Sequence, residues 1–217
     1  MSLSSCGARD VLLYYPNLIG YFRVILTATS FYYALTDWKF SMMAYALSFV
    51  CDYFDGLVAR SFNQCSSFGA VLDMVTDRCS TAGLLFILSH LYPRKMHLFL
   101  FLMTLDIASH WLHMYADKKG AHKVIDANTG NPIMRLYYGC YPFFGYCCVG
   151  TELSYILLYI LAFEQPSFKV LSTTVALEDI YYFVCLPACI MKTFINMVQL
   201  CTAAVAVAQD DYESKNK

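Results

Sequence analysis

The sequence predicts an all-α, polytopic integral membrane protein with about six transmembrane helices and a short N-terminal interfacial helix. Three observations predict it. Hydrophobic residues make up 59% of the 217 residues, and mean hydropathy is +0.48. Charged residues account for 14%, against about 25% in ordinary soluble domains. Apolar runs of about 20 residues, long enough to cross a bilayer, recur along the chain and leave no room for a separate soluble domain. A single membrane domain over residues 1–217 is therefore expected.

At the N-terminus there is neither the basic segment nor the long apolar segment of a cleavable signal peptide. Val11 to Tyr15 forms an apolar patch beside Arg9 and Asp10 that Pro16 is expected to break, giving the interfacial helix. Spans are expected at 18–36, 40–60, 68–90, 96–116, 143–163 and 180–208. Polar or helix-breaking punctuation separates them: Thr36 to Lys39, Ser61 to Ser67, Tyr92 to Lys95, Asp117 to Arg135, and Glu164 to Asp179 with its Pro166.

Lys and Arg in the short loops set orientation. With a cytosolic N-terminus, that side carries eight: Arg9, Arg60, Lys118, Lys119, Lys123, Arg135, Lys215 and Lys217. The opposite side carries four, Lys39, Arg94, Lys95 and Lys169, so both termini are expected in the cytosol. A formal net charge of -1 argues against a nucleic-acid partner. The ten cysteines form no CxxC pair, lie mostly in apolar stretches, and are read as small reduced hydrophobes.

Ionisable side chains inside spans are costly and mark function. Four of the sixteen acidic residues fall within the second and third spans: Asp52, Asp55, Asp73 and Asp77. The first pair stands at i and i+3 and the second at i and i+4, so each projects from one helix face. The short turn between the spans makes the helices antiparallel neighbours with both pairs at the same end, a catalytic hairpin over about 40–90. Four carboxylates then converge, and a single Arg60 or Arg78 cannot neutralise them. An all-oxygen donor set suits Mg2+ or Mn2+. Two such ions can bind the attacking and leaving oxygens of a displacement at phosphorus. Gly56 and Gly69 remove side chains where a backbone must come close to a partner helix or a nucleotide.

The pattern Asp52-x2-Asp55-Gly56-x2-Ala59-Arg60-x8-Gly69-x3-Asp73-x3-Asp77 resembles the signature of the CDP-alcohol phosphotransferase family at all eight fixed positions. Further runs resemble its inositol-using branch: Pro16 to Arg23, Asn63 and Gln64, Leu72 to Thr81, Asp106 to His113, and Gly130 to Pro132 with Arg135, Tyr137 and Tyr138. The resemblance implies phosphatidyl transfer from CDP-diacylglycerol to myo-inositol with release of CMP. It also implies Asp52, Asp55, Asp73 and Asp77 as metal ligands and Asp77 as general base. Gly56, Ala59, Arg60 and Ser66 match positions around the CDP moiety, with Asn17 near its diphosphate. A homodimer in the endoplasmic reticulum membrane, with the active site facing the cytosol, is implied too.

Inositol is neutral and rich in hydroxyls, so its pocket needs hydrogen-bond partners more than an arginine cluster; Arg135, Tyr137, Tyr138 and His110 are the candidates. Asp106, His110 and His113 share a face of the fourth span and are read as a hydrogen-bonded structural cluster, with a second metal site as the alternative. Within the same chemistry, glycerol phosphate, serine or an amino alcohol are rival acceptors. A cation transporter is the remote rival, and its carboxylates are expected at midplane in broken helices.

Overall fold

A computed structural model describes residues 7–119, 131–170 and 173–216. It contains α1 (Ala8–Leu12), α2 (Tyr15–Tyr33), α3 (Trp38–Ser61), α4 (Ser67–Leu91), α5 (Met96–Lys119), α6 (Pro132–Gly139), α7 (Tyr141–Leu161), α8 (Leu177–Ile180) and α9 (Leu186–Lys215). Of the basic residues that set the orientation, Lys118, Lys119, Lys123, Lys169 and Lys217 lie outside the residues whose side chains are described, as does Gly130. The chain forms two compact units, one ending at Ile87 and the other beginning at Leu88.

The expected spans correspond to α2, α3, α4, α5, α7 and α9. Among the described residues, three helical stretches are both long and apolar enough to cross a membrane: α3, α7 and the continuous stretch Leu177–Lys215. α2, α4 and α5 have the length, but Asn17 and Arg23, Asp73 and Asp77, and Asp106 with His110 lower their hydropathy.

Two local expectations are corrected. Pro16 does not break an apolar segment; it sits in the first turn of α2, where a missing N–H costs nothing. The interfacial helix accordingly ends at Leu12. The stretch Glu164 to Asp179, read as polar punctuation, contains the antiparallel strands β1 (Ser167–Val170) and β2 (Thr173–Ala176), with Ser167 opposite Ala176 and Val170 opposite Thr173.

In the first unit, α2 and α3 pack along a seam of small polar residues. Thr27 Oγ1 meets Ser48 Oγ at 3.0 Å and Ser30 Oγ meets Ser41 Oγ at 3.0 Å. As the α2 number rises the α3 number falls, so the helices are antiparallel. Short hydroxyl side chains let membrane helices approach and satisfy one another where no water is present. Asp37 starts α3 by accepting a hydrogen bond from the Phe40 N–H at 3.1 Å.

The connection between α3 and α4 is fixed by its own residues. Gln64 N–H bonds Ala59 C=O at 2.9 Å and Asn63 N–H bonds Arg60 C=O at 3.4 Å, the two closures of a Schellman motif. Asn63 takes the left-handed conformation, φ 52°, that the motif requires. Ser66 then caps α4, its Oγ accepting from Gly69 N–H at 3.0 Å.

In the second unit, a π turn at Tyr181–Cys185 precedes Pro187, whose ring cannot continue an α-helical ladder. The Val184 carbonyl in that turn accepts from Tyr146 OH at 2.8 Å. Lys192 on α9 is buried; its Nζ donates to Tyr137 OH at 2.8 Å and stands 5.1 Å from the Tyr137 ring centroid. A buried ammonium needs partners of this kind to be tolerated among apolar helices.

Candidate active site

The four aspartates do converge. Asp52 and Asp55 lie in the last turns of α3, Asp73 and Asp77 in the first turns of α4, and the short connection brings both pairs to one end of the hairpin. One carboxylate oxygen from each of Asp52, Asp55 and Asp73 lies within 4.8 Å of the others, a spacing that could hold a metal ion. Among the described residues Asp77 does not join that triplet.

At the centre stands a residue the sequence reading did not single out. Arg23 of α2 is only 3% exposed. Its Nη2 contacts Asp52 at 2.6 Å and Asp77 at 2.5 Å, and its Nη1 contacts Asp55 at 2.8 Å and Asp73 at 2.7 Å. The seam described above places it there, because Ser48 Oγ donates to the Arg23 carbonyl at 3.3 Å. The signal was available: a lone cation inside an apolar span is as costly as a lone acid. Arg78 lies 3.6 Å from Asp77, whereas Arg60, the other base weighed as a counter-charge, is exposed and its guanidinium lies over Gly56.

Beside the carboxylates opens a cavity of about 180 Å³. Asp55 and Asp73 form one part of its wall, and Asn17, Gly56, Ala59 and Ser66 are also in its lining. Four of the five residues assigned to CDP-diacylglycerol therefore share one cavity, and Arg60 is not in its lining. Gln64, Cys65 and Gly20 also line it, and the sequence reading gave them no role in the site. Gly69 is required by close approach: a Cβ there would stand 2.9 Å from Asn17 Oδ1 and 3.1 Å from Ser66 Oγ. Asn17 is itself buried and fixed, its Nδ2 donating to Val11 C=O at 2.5 Å.

The residues considered for inositol fall in the second unit and have diverse surroundings. Arg135 is exposed on α6. Tyr137 is buried, its hydroxyl engaged by Lys192 and 3.2 Å from Cys148 Sγ. Tyr138 is half exposed and its ring stacks on His113 with centroids 6.1 Å apart. His110 Nδ1 lies 2.8 Å from the Asp106 carbonyl, and Asn196 Nδ2 donates to Asp106 Oδ1 at 3.2 Å, so the α5 face is knit into a hydrogen-bonded cluster.

With the signature residues gathered at one centre, the comparison with known proteins is decisive. Residues 13–208 match the family model described as CDP-alcohol phosphatidyltransferase. The chain belongs to that family. It is 43% identical over 216 residues to CDP-diacylglycerol--inositol 3-phosphatidyltransferase 1 of Arabidopsis thaliana, covering 96% of this chain and 94% of the relative. It is 40% identical over 212 residues to the Homo sapiens CDP-diacylglycerol--inositol 3-phosphatidyltransferase, covering 96% and 98%. The Drosophila melanogaster protein of that name is 37% identical over 211 residues, covering 96% and 91%. No solved structure matches the chain. In a CDP-alcohol phosphatidyltransferase, a trio of carboxylates beside a cavity is chemically suited to divalent metal: the donors are all oxygen, close together, and short of positive charge even with Arg23 in place.

Proposed function

We propose that this chain transfers a phosphatidyl group from CDP-diacylglycerol to myo-inositol and releases CMP. The observation that carries the reading is the gathering of all four signature aspartates around one point next to the cavity, in a chain about 40% identical over nearly its whole length to proteins named for that reaction. Asp52, Asp55 and Asp73, with Asp77 alongside, would hold Mg2+ or Mn2+, two ions in all. When bound, these supply charge stabilisation at the diphosphate and the departing CMP.

The protein's own groups do the rest. Gly56, Ala59, Ser66 and Asn17 receive the cytidine diphosphate end of the lipid, with Arg60 closing over Gly56. Asp77 accepts the proton of an inositol hydroxyl as its oxygen bonds to the lipid-side phosphorus. The phosphorus–oxygen bond to CMP breaks in the same displacement, and the electron pair leaves with CMP. The enzyme is a multi-pass protein of the endoplasmic reticulum membrane, a homodimer, with its site and both termini cytosolic; the excess of basic residues on that side supports the orientation.

The deciding experiment offers radiolabelled inositol, glycerol phosphate, serine, ethanolamine and choline in turn to purified protein with CDP-diacylglycerol and Mn2+. Inositol should be the acceptor incorporated into lipid, with CMP released in equal amount. Faster incorporation of any other acceptor overturns the assignment.

Gly69→Val tests the nucleotide cavity. The new side chain must push Asn17 or Ser66 aside, so the KM for CDP-diacylglycerol should rise at least about tenfold, the effect of losing roughly 1.4 kcal/mol of binding. Gly145→Ala, where an added Cβ meets nothing within 4 Å, should leave KM unchanged. Equal KM values for the two variants would remove Gly69 from the cavity's function.

A further inference from the structure

Arg23 is buried, yet the structure gives its guanidinium carboxylate partners and leaves its Nε–H without a hydrogen-bond partner. We propose that Arg23 is a built-in counter-ion that occupies the centre of the aspartate cluster while divalent cations are absent and gives up those oxygens when they bind. It thereby sets both the stability of the cation-free protein and its affinity for metal. The inference rests on the metal-centre reading above and adds a role for a residue outside the aspartate signature.

Space is the first argument. The Arg23 nitrogens approach Asp52 Oδ1, Asp55 Oδ2, Asp73 Oδ1 and Asp77 Oδ1 at 2.5–2.8 Å. Mg2+ takes carboxylate oxygens at about 2.1 Å. A cation among the same oxygens would stand where the guanidinium now lies, so the two exclude each other.

Charge is the second. Four carboxylates and one guanidinium sum to −4 + 1 = −3, so Arg23 offsets part of the repulsion and leaves a strongly anionic centre. Two divalent ions added without moving Arg23 would bring the sum to +1, and the guanidinium would then be repelled from a centre in excess of positive charge. The orphaned Nε–H is the third. A buried donor without a partner is destabilising, because it has given up its bonds to water and gained none in return. Arg23 therefore reaches the carboxylates at the expense of its own hydrogen bonding, and withdrawal can restore it.

The test uses the full chain purified in detergent, with Mn2+ affinity measured by calorimetry and thermal unfolding followed in EDTA and in saturating Mn2+. Arg23→Met should bind Mn2+ at least about tenfold more tightly than the wild type, because binding no longer has to displace a bound cation. It should also unfold at a lower temperature in EDTA, with the difference shrinking once Mn2+ is saturating. Should Arg23→Met fail to fold, Arg23→Lys serves. It keeps the charge but lacks the fork that spans several carboxylates, and should bind Mn2+ at least about threefold more tightly than the wild type. Unchanged or weaker Mn2+ affinity in the folded variant overturns the proposal while leaving the metal centre intact. No Mn2+ binding by the wild type or the variants overturns both.

Discussion

Asp77→Asn should lower turnover by about three orders of magnitude while CDP-diacylglycerol and Mn2+ still bind, since a positioned base contributes roughly 10²- to 10⁴-fold. The geometry makes the substitution clean. Asp77 touches Arg23 Nη2 at 2.5 Å and lies 3.6 Å from Arg78, and an asparagine Oδ1 in the same place still accepts from Arg23. What disappears is the capacity to take a proton. Asp77 also stands outside the triplet of closely spaced carboxylates, so losing its charge affects the tightest part of the cluster least. Radiolabelled inositol incorporation should show the fall in kcat with the KM for CDP-diacylglycerol changed less than about threefold. Raising Mn2+ separates the two roles considered for Asp77. Recovery of the wild-type rate at high Mn2+ would make it a ligand whose loss is overcome by mass action, and would end its assignment as the base.

Much of the aspartate-bearing hairpin of α3 and α4 was legible because its signals are local. Helical periodicity alone sets the Asp pairs on single faces, and the turn between them is written in Asn63 and Ser66, residue types whose short side chains favour the left-handed and N-cap conformations. Arg23 was not read, because its meaning depends on α2 packing against α3 through Thr27, Ser30 and Ser48, and a hydroxyl seam has no period that separates it from an apolar face. Lys192 went unread for the same reason: the tyrosine that makes it tolerable lies 55 residues earlier. The β-hairpin was masked by its flanks. Glu164 and Pro166 on one side and Glu178 and Asp179 on the other mark a loop, and the β-branched run Thr173, Thr174 and Val175 between them is too short to overrule it. Tyr137 was named from the sequence as a candidate for a hydroxyl-rich acceptor; what the sequence could not show is that its hydroxyl also accepts a hydrogen bond from the buried Lys192.

The unfavourable charge at the centre has a consequence for stability that runs against its consequence for activity. Asp55→Asn should cost about 10³-fold in rate, since one of the three clustered carboxylates is lost and the transition state forfeits several kcal/mol of charge stabilisation. The same variant should unfold at a higher temperature than the wild type in EDTA. Asp55 has one guanidinium within 2.8 Å but shares it with Asp52, Asp73 and Asp77, two of them in its own close triplet, and in the cation-free protein these repulsions outweigh the one attraction. Asp55 is the position where the effect is largest: its side chain is 12% exposed, against 34% for Asp52 and 48% for Asp73, so water screens it least. Relief on the order of 1–2 kcal/mol corresponds to about 2–8 °C for a chain of this size. Thermal unfolding of both proteins in EDTA reads the sign directly. A lower unfolding temperature for Asp55→Asn would mean that its bond to Arg23 outweighs the repulsion, and that the cluster is no strained site kept for its chemistry.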